Sequence, residues 1–321
     1  MNIKDTIRID INKNAKLTYY IGCIARMLIP NFIYRKKLKN LLDNIDDADY
    51  IYSRVNYYNK INSEFASDES FVTIREFKKY EKKKTYYFDL LEYLEYFDSN
   101  LKLAYLFGDI ISIPSTPSLL KSRPIDGDNR NSILMKLDKV RHFIFVDDKM
   151  KFESKKNLLV WRGKAHQEHR QYFLNKFYNS ELCNVGQIIK NRDKDKDSVK
   201  WVKEKLSLKK QLEYKFILTI EGNDVASNLK WVMSSNSIAF MVKPKYETWF
   251  MEGTLVPNHH YVLLRDDYSD LEEKILYYSQ NRDEALKIIE NAHKYVDQFK
   301  NKKREDIISL LVLKKYFSFK N

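Results

Sequence analysis

From Asn157 onward the chain alternates short, almost unbroken apolar runs with stretches of helical period, and this alternation constrains its fold more than any other feature. Leu158-Leu159-Val160-Trp161 stops at Arg162-Gly163 and leads into a helical pattern from Ala165 to Tyr178. Phe216-Ile217-Leu218-Thr219-Ile220 stops at Glu221-Gly222 and leads into another, Val225 to Met233. Ile238 to Val242 and Tyr261 to Leu264 repeat the scheme. A strand covered on both faces has no polar alternation. Such runs between helices therefore predict an α/β protein with a parallel sheet. Ser269 and Glu272 have capping-box spacing for the helix after Leu264. Ala285, Ile288, Ile289, Ala292, Tyr295, Val296 and Phe299 form one helical stripe, which marks them as core.

The first hundred residues read differently. They are helix-rich, with Tyr87, Leu90, Leu91 and Leu94 on one helical face, followed by apolar runs at Leu103–Phe107 and His142–Val146 that read as strands. A chain of 321 residues suits two domains at roughly 100–200 residues each. The charged stretch Lys151–Lys156 sets the boundary, giving a helix-rich N-terminal domain at 1–154 and a strand-helix domain with C-terminal helices at 155–321. The last helix, Asp306 to Phe317, fits against either. Leu17 to Ile33 is interrupted by Arg26 and Pro30 and is too short to span a bilayer. It is expected to be an internal helix, with docking on an anionic membrane surface as the alternative because Arg35, Lys36, Lys37 and Lys39 follow it. Asp5 and Asp10 speak against a secretory signal.

Only 7 glycines occur, and neither GxGxxG nor GxxxxGK[ST] is present, so a glycine-rich phosphate loop is excluded. Two cysteines, Cys23 and Cys183, make neither a disulfide framework nor a thiolate zinc site, which fits a reducing cytoplasm. The 57 Lys+Arg against 44 Asp+Glu leave a charge of +13. That excess suits nucleic acid, an anionic membrane or a phosphorylated ligand, or it is simply a lysine-rich solvated surface. The basic runs are short and mixed with acids, so no nucleic-acid partner is expected.

Ligands of parallel sheets sit at the carboxyl ends of strands, beside helix N-termini. Arg162-Gly163-Lys164 and Glu221-Gly222-Asn223-Asp224 occupy such positions, and Arg170 is within reach if its helix packs that way. Each motif alone is equally a plain tight turn; the two together point to a nucleotide site. Lys121-Ser122-Arg123-Pro124 offers two cations around a hydroxyl for phosphate, or an exposed basic loop. Asp109, at the end of an apolar run, is a candidate general base or a turn acid. His166 and His169 share a helix face without a further ligand, and the acid-x-acid strings Asp126-Gly127-Asp128 and Asp193 to Asp197 read as solvated loop. No metal is expected.

Taken together, Lys121-Ser122-Arg123-Pro124-Ile125, Arg141-His142-Phe143, Trp161-Arg162-Gly163 with Arg170, and Glu221 through Trp231 resemble glycosyltransferase family 90. So do Glu247-Thr248-Trp249-Phe250-Met251-Glu252-Gly253 and His260-Tyr261-Val262 followed by Ser269-Asp270-Leu271. The likeness, over about residues 100–280, is to the bacterial, lipopolysaccharide-modifying branch, whose relatives include fungal capsule xylosyltransferases and animal protein O-glucosyltransferases. It implies a GT-B architecture of two Rossmann-like domains with, here, a helical N-terminal region. It also implies a UDP-sugar donor, no cofactor or metal, and inversion at the anomeric carbon. Arg162, Gly163 and Arg170 match its donor-binding positions, with Lys164 where animal members carry serine. The loop beneath uracil and diphosphate falls on Glu221, Gly222, Asn223, Asp224, Val225, Ala226, Ser227, Asn228 and Lys230. Lys121, Ser122, Arg123 and Glu247 complete the donor set, and the catalytic aspartate matches Asp109.

The resulting expectation is a cytoplasmic transferase acting on a lipid-linked, lipopolysaccharide-core or capsule glycan, with peripheral contact to the inner membrane face. The alternatives are a catalytically inactive nucleotide-sugar or glycan binder and a basic nucleic-acid-binding protein.

Overall fold

The structure, a computed structural model, describes residues 11–43, 45–80, 82, 84–189 and 200–319. The Asp193 to Asp197 run lies outside them. The described strands are β1 (Val72–Thr73), β2 (Lys102–Leu106), β3 (Ser118–Leu120), β4 (Ser122–Pro124), β5 (Ser132–Leu134), β6 (Lys156–Gly163), β7 (Cys183–Gln187), β8 (Tyr214–Leu218), β9 (Ile238–Met241), β10 (Tyr246–Thr248) and β11 (Val262–Leu263). The protein is α/β. Its chain divides into one unit of residues 1–143, 245–253 and 299–321 and a second of residues 144–244 and 254–298. The last helix, Lys302–Ser318, is thus part of the first unit, as is the strand β10.

The second unit is built on a five-stranded, all-parallel sheet in the order β11-β9-β8-β6-β7. The four apolar runs that follow Asn157 are in it. Numbered by appearance, the order is 2-1-3-4-5, a doubly wound arrangement. The chain leaves β6 toward β7 on one side and resumes with β8 on the other, so the topological switch point lies between β6 and β8. Phe216, Phe240, Trp161, Phe173, Leu271, Ile275 and Ile288 belong to one buried cluster over this sheet. Ala285, Ile288, Ile289, Ala292, Tyr295 and Val296 are the buried stripe of Arg282–Asp297, whereas Phe299, also buried, lies past the helix end. The Ser269–Glu272 capping box does not form. The helix begins at Leu271, and Asp270 instead accepts from Arg265 N at 3.0 Å and pairs with Lys274 at 2.6 Å.

The first unit carries the mixed sheet β1-β2-β3-β5, in which β2, β3 and β5 run parallel, and the antiparallel pair β4–β10. Tyr87, Leu90, Leu91 and Leu94 are buried on the helix Thr85–Leu94, as their spacing predicts. Two expectations fail here. His142–Val146 is not a strand: Asp138, at φ 54, starts the short helix Lys139–His142, and no ladder follows it. Leu17–Ile33 is not an internal helix. It is divided between Ile11–Met27 and Asn31–Asp43, broken at Pro30, and its aliphatic side chains face outward. No helix among the described residues is long and apolar enough to cross a membrane.

Candidate active site

At the switch point the carboxyl end of β6 delivers Arg162-Gly163-Lys164 and that of β8 delivers Thr219-Ile220-Glu221-Gly222. One side chain joins them. Arg170, in the first turn of the helix Glu168–Phe177, donates from Nη1 to Lys164 O at 2.9 Å, from Nε to Glu221 O at 2.8 Å and from Nη2 to Ile220 O at 3.1 Å. Its neighbours add to the seam: His169 Nε2 lies 2.9 Å from Glu221 O, and Gln167 donates to Asn223 Oδ1 at 2.8 Å. The guanidinium stands over the Trp161 ring at 5.5 Å. Burial draws the Arg170 pKa down to about 10, with Tyr268 acting weakly in the other direction. Its hydrogen-bond partners among the described residues are carbonyl dipoles, and no carboxylate among them pairs with it.

Both glycines are explained by close approach within the chain. A Cβ on Gly163 would sit 2.5 Å from the buried Trp161 indole, and one on Gly222 would sit 3.2 Å from Arg170 Nη2. The loop after Gly222 folds back through Gly222 N to Asp224 O at 3.0 Å and Asn228 Nδ2 to Leu218 O at 2.9 Å. Asp224, Val225 and Ala226 are buried while Ser227 and Asn228 are half-exposed, and the helix itself starts only at Leu229. Lys230 is fully buried on that helix, so the cation expected at this loop is not on the surface in this structure. Asn223 and Lys164 are exposed.

Arg162 is brought elsewhere. Alternation along β6 puts it on the face opposite Trp161. Its guanidinium donates to Asn184 O and Oδ1 at 2.8 and 2.9 Å and to Glu204 O at 2.9 Å. There it lines a cavity of about 680 Å³ with Lys156, Lys203 and Lys210. His166 and His169 join no group of three potential metal ligands among the described residues. Asp128 is paired with its near neighbour Arg130 at 2.6 Å.

In the first unit, Leu106 and Leu120 are the last partners of parallel β2 and β3. That register carries Asp109, beyond Gly108 at φ +118, next to Lys121, and Lys121 Nζ meets Asp109 Oδ1 at 2.6 Å. Asp109 thus lies at the carboxyl ends of parallel strands, where ligands of such sheets bind. Ser122 Oγ clamps the turn, accepting from Ile110 N at 3.2 Å and donating to Ile110 O at 3.1 Å. Tyr86, which the sequence did not single out, presents its ring 5.9 Å from Lys121 Nζ.

Lys121, Arg123 and Glu247 are interior, not displayed for a diphosphate. Arg123 Nε donates to Glu247 Oε1 at 2.7 Å, and its remaining donors go to Ser132 O at 2.9 Å and Tyr57 O at 2.8 Å. Tyr57 OH donates to Glu247 Oε2. The rest of that motif is equally structural: Thr248 N donates to Glu252 at 2.7 Å, and Trp249 Nε1 donates to the buried Glu305 at 2.6 Å. Trp249 stacks on Tyr58 with ring centres 3.8 Å apart.

A doubly wound parallel sheet with an arginine bridging two strand-end loops at its switch point defines an α/β protein whose candidate ligand site lies there. Comparison with known proteins narrows this. The profile of glycosyl transferase family 90 matches residues 133–318, more than half of the chain. The O-glucosyltransferase LpsA of Dichelobacter nodosus is 46% identical over 308 residues, covering 94% of this chain and 95% of that protein. Uncharacterized protein 179R of Invertebrate iridescent virus 6 is 31% identical over 113 residues, covering 33% of this chain and 9% of that protein. The chain belongs to glycosyltransferase family 90 and is a glycosyltransferase.

Proposed function

We propose that this enzyme moves a sugar from a UDP-sugar to a hydroxyl of a lipopolysaccharide-core or capsule glycan in the cytoplasm, inverting the anomeric centre and needing no metal. The likeness to an O-glucosyltransferase makes glucose the first sugar to test. The observation that carries the reading is the Arg170 seam across the switch point, which gathers a half-buried cation and a helix N-terminus beside two strand ends. Both favour an anionic diphosphate. A GT-B architecture is part of the same proposal, with the second unit as the donor side and the first as the acceptor side.

In this reading the acceptor O–H loses its proton to the Asp109 carboxylate while its oxygen bonds to the sugar C1. The C1–O bond to the β-phosphate breaks, and the diphosphate leaves with the electron pair. Lys121 holds the Asp109 carboxylate in place at 2.6 Å. Arg170 and Lys164 stabilise the developing negative charge on UDP.

The test is a thermal-shift screen with UDP, GDP, CDP and their sugar conjugates, with and without Mn²⁺, followed by NMR of the product's anomeric configuration. A ligand at 100 times its Kd stabilises by about 2.7 kcal/mol. A UDP-selective shift that ignores Mn²⁺, and an inverted product, are expected. A shift with another nucleotide alone, or a retained configuration, would refute the reading.

A further inference from the structure

We infer that the two N-terminal helices, Ile11–Met27 and Asn31–Asp43, form a docking surface for an anionic lipid bilayer. The first helix is two-faced. Tyr19, Cys23 and Arg26 fall on one side, and there Tyr19 donates to Asp89 at 2.7 Å and Arg26 pairs with Glu92 at 3.7 Å. Leu17, Ile21, Ile24 and Leu28 follow the 4-3-4 spacing of a single stripe, within an arc of roughly 60° at ~100° per residue. That stripe points away from the protein: Leu17 is 62%, Leu28 80% and, just past the turn, Phe32 71% exposed. The hairpin is fixed from behind, with Tyr34 OH donating to Arg26 O at 2.9 Å and packing on Tyr96. Its apolar face is therefore displayed and not merely loose.

Charge says what covers it. Between residues 11 and 42 the sequence has seven Lys and Arg and not one Asp or Glu. Arg35, Lys36, Lys37 and Lys39 are exposed directly behind Phe32 and Ile33. An aliphatic stripe with a basic flank is the pattern of a helix lying in the headgroup region of a negatively charged leaflet. A polynucleotide would meet the lysines but leave the aliphatic stripe in water. The helices are too short and too charged to span. This inference stands apart from the choice of donor and acceptor.

The experiment is co-sedimentation of the full chain with vesicles of phosphatidylcholine alone and of phosphatidylcholine mixed with phosphatidylglycerol, at low and high salt. Binding at least about tenfold stronger to the anionic vesicles, weakened by salt, is expected. Two variants separate the terms: Leu17→Gln/Ile21→Gln/Leu28→Gln and Lys36→Gln/Lys37→Gln/Lys39→Gln. Each should lose at least about tenfold in vesicle binding with an unchanged thermal midpoint, because these side chains face outward. Equal binding to neutral vesicles, no binding, or variants that bind like the parent would overturn the proposal. So would a dimer that the aliphatic variant dissociates without any vesicle binding, or an oligonucleotide complex formed while vesicles are ignored.

Discussion

Arg123 and Glu247 stand directly opposite each other on antiparallel β4 and β10, joined at 2.7 Å with side chains 0% and 2% exposed. The pair ties a late segment of the chain into the first unit. Removing one member strands the other charge in the interior, so Glu247→Ala is expected to lose about 3–5 kcal/mol in urea unfolding. A normal unfolding midpoint combined with a weakened UDP interaction would instead return both residues to the donor site.

Arg170→Ala removes one guanidinium and leaves three carbonyls short of a donor. It should cost about 1–3 kcal/mol of stability and abolish the UDP-dependent thermal shift. Arg170→Lys keeps the charge without the fork and should recover only part of that shift. An undiminished shift in Arg170→Ala would remove the seam from the donor site.

The two glycines should differ in kind. Gly163→Ala drives a methyl into a buried indole and is expected to cost about 1–3 kcal/mol, visible also as a change in Trp fluorescence. Gly222→Ala meets only the end of the Arg170 side chain, so its stability loss should stay below about 1 kcal/mol while UDP binding weakens. Equal stability losses would contradict this assignment.

Asp109→Asn should lower turnover by about 10²–10⁴-fold, the usual contribution of a general base. It also deprives the buried Lys121 of a partner, so some stability loss is expected. Asp109→Asn/Lys121→Met removes both charges and should restore the thermal midpoint without restoring turnover. Rescue of turnover in the double variant would make Asp109 structural.

His260 supplies a pH dependence. Burial, with His259 beside it, holds its pKa at about 4, well below the usual 6.5. Its Nδ1 accepts from Val256 N at 2.9 Å, a bond that protonation there would break. The unfolded chain therefore binds the proton more readily. The contribution is fully present above about pH 6.5 and is lost as pH falls toward 4. His260→Gln should flatten the unfolding midpoint between those limits, which chemical denaturation at stepped pH would reveal.

The parallel sheet was legible because Phe216 to Leu218 and Ile238 to Met241 are buried on both faces and so lack polar alternation. β7 was not: Asn184, Gly186 and Gln187 break the apolar run of an edge strand. Glycine scarcity drew attention to Gly163 and Gly222, and their placement at strand ends holds. What they approach could not be read, since Trp161 and Arg170 reach them only through packing. Arg162 shows the opposite failure. Its place beside Gly163 suggested a shared site, yet period-two alternation sends it to the other face of the sheet. Arg123 and Glu247 lie 124 residues apart, and only the β4–β10 register reveals that each is the other's partner. The helical hairpin was misread because aliphatic spacing alone does not say whether a stripe faces protein or solvent.

The Arg170 seam grips the main chain, at Lys164, Ile220 and Glu221, and not the side chains there. A carbonyl is common to every residue type. Mutation at 164 and 221 can therefore change charge, length and hydrogen-bonding character around the site while the frame that joins the two loops persists. The architecture separates what must be inherited unchanged from what is free to diversify, so the residues around the seam can change within the lineage without the scaffold being rebuilt.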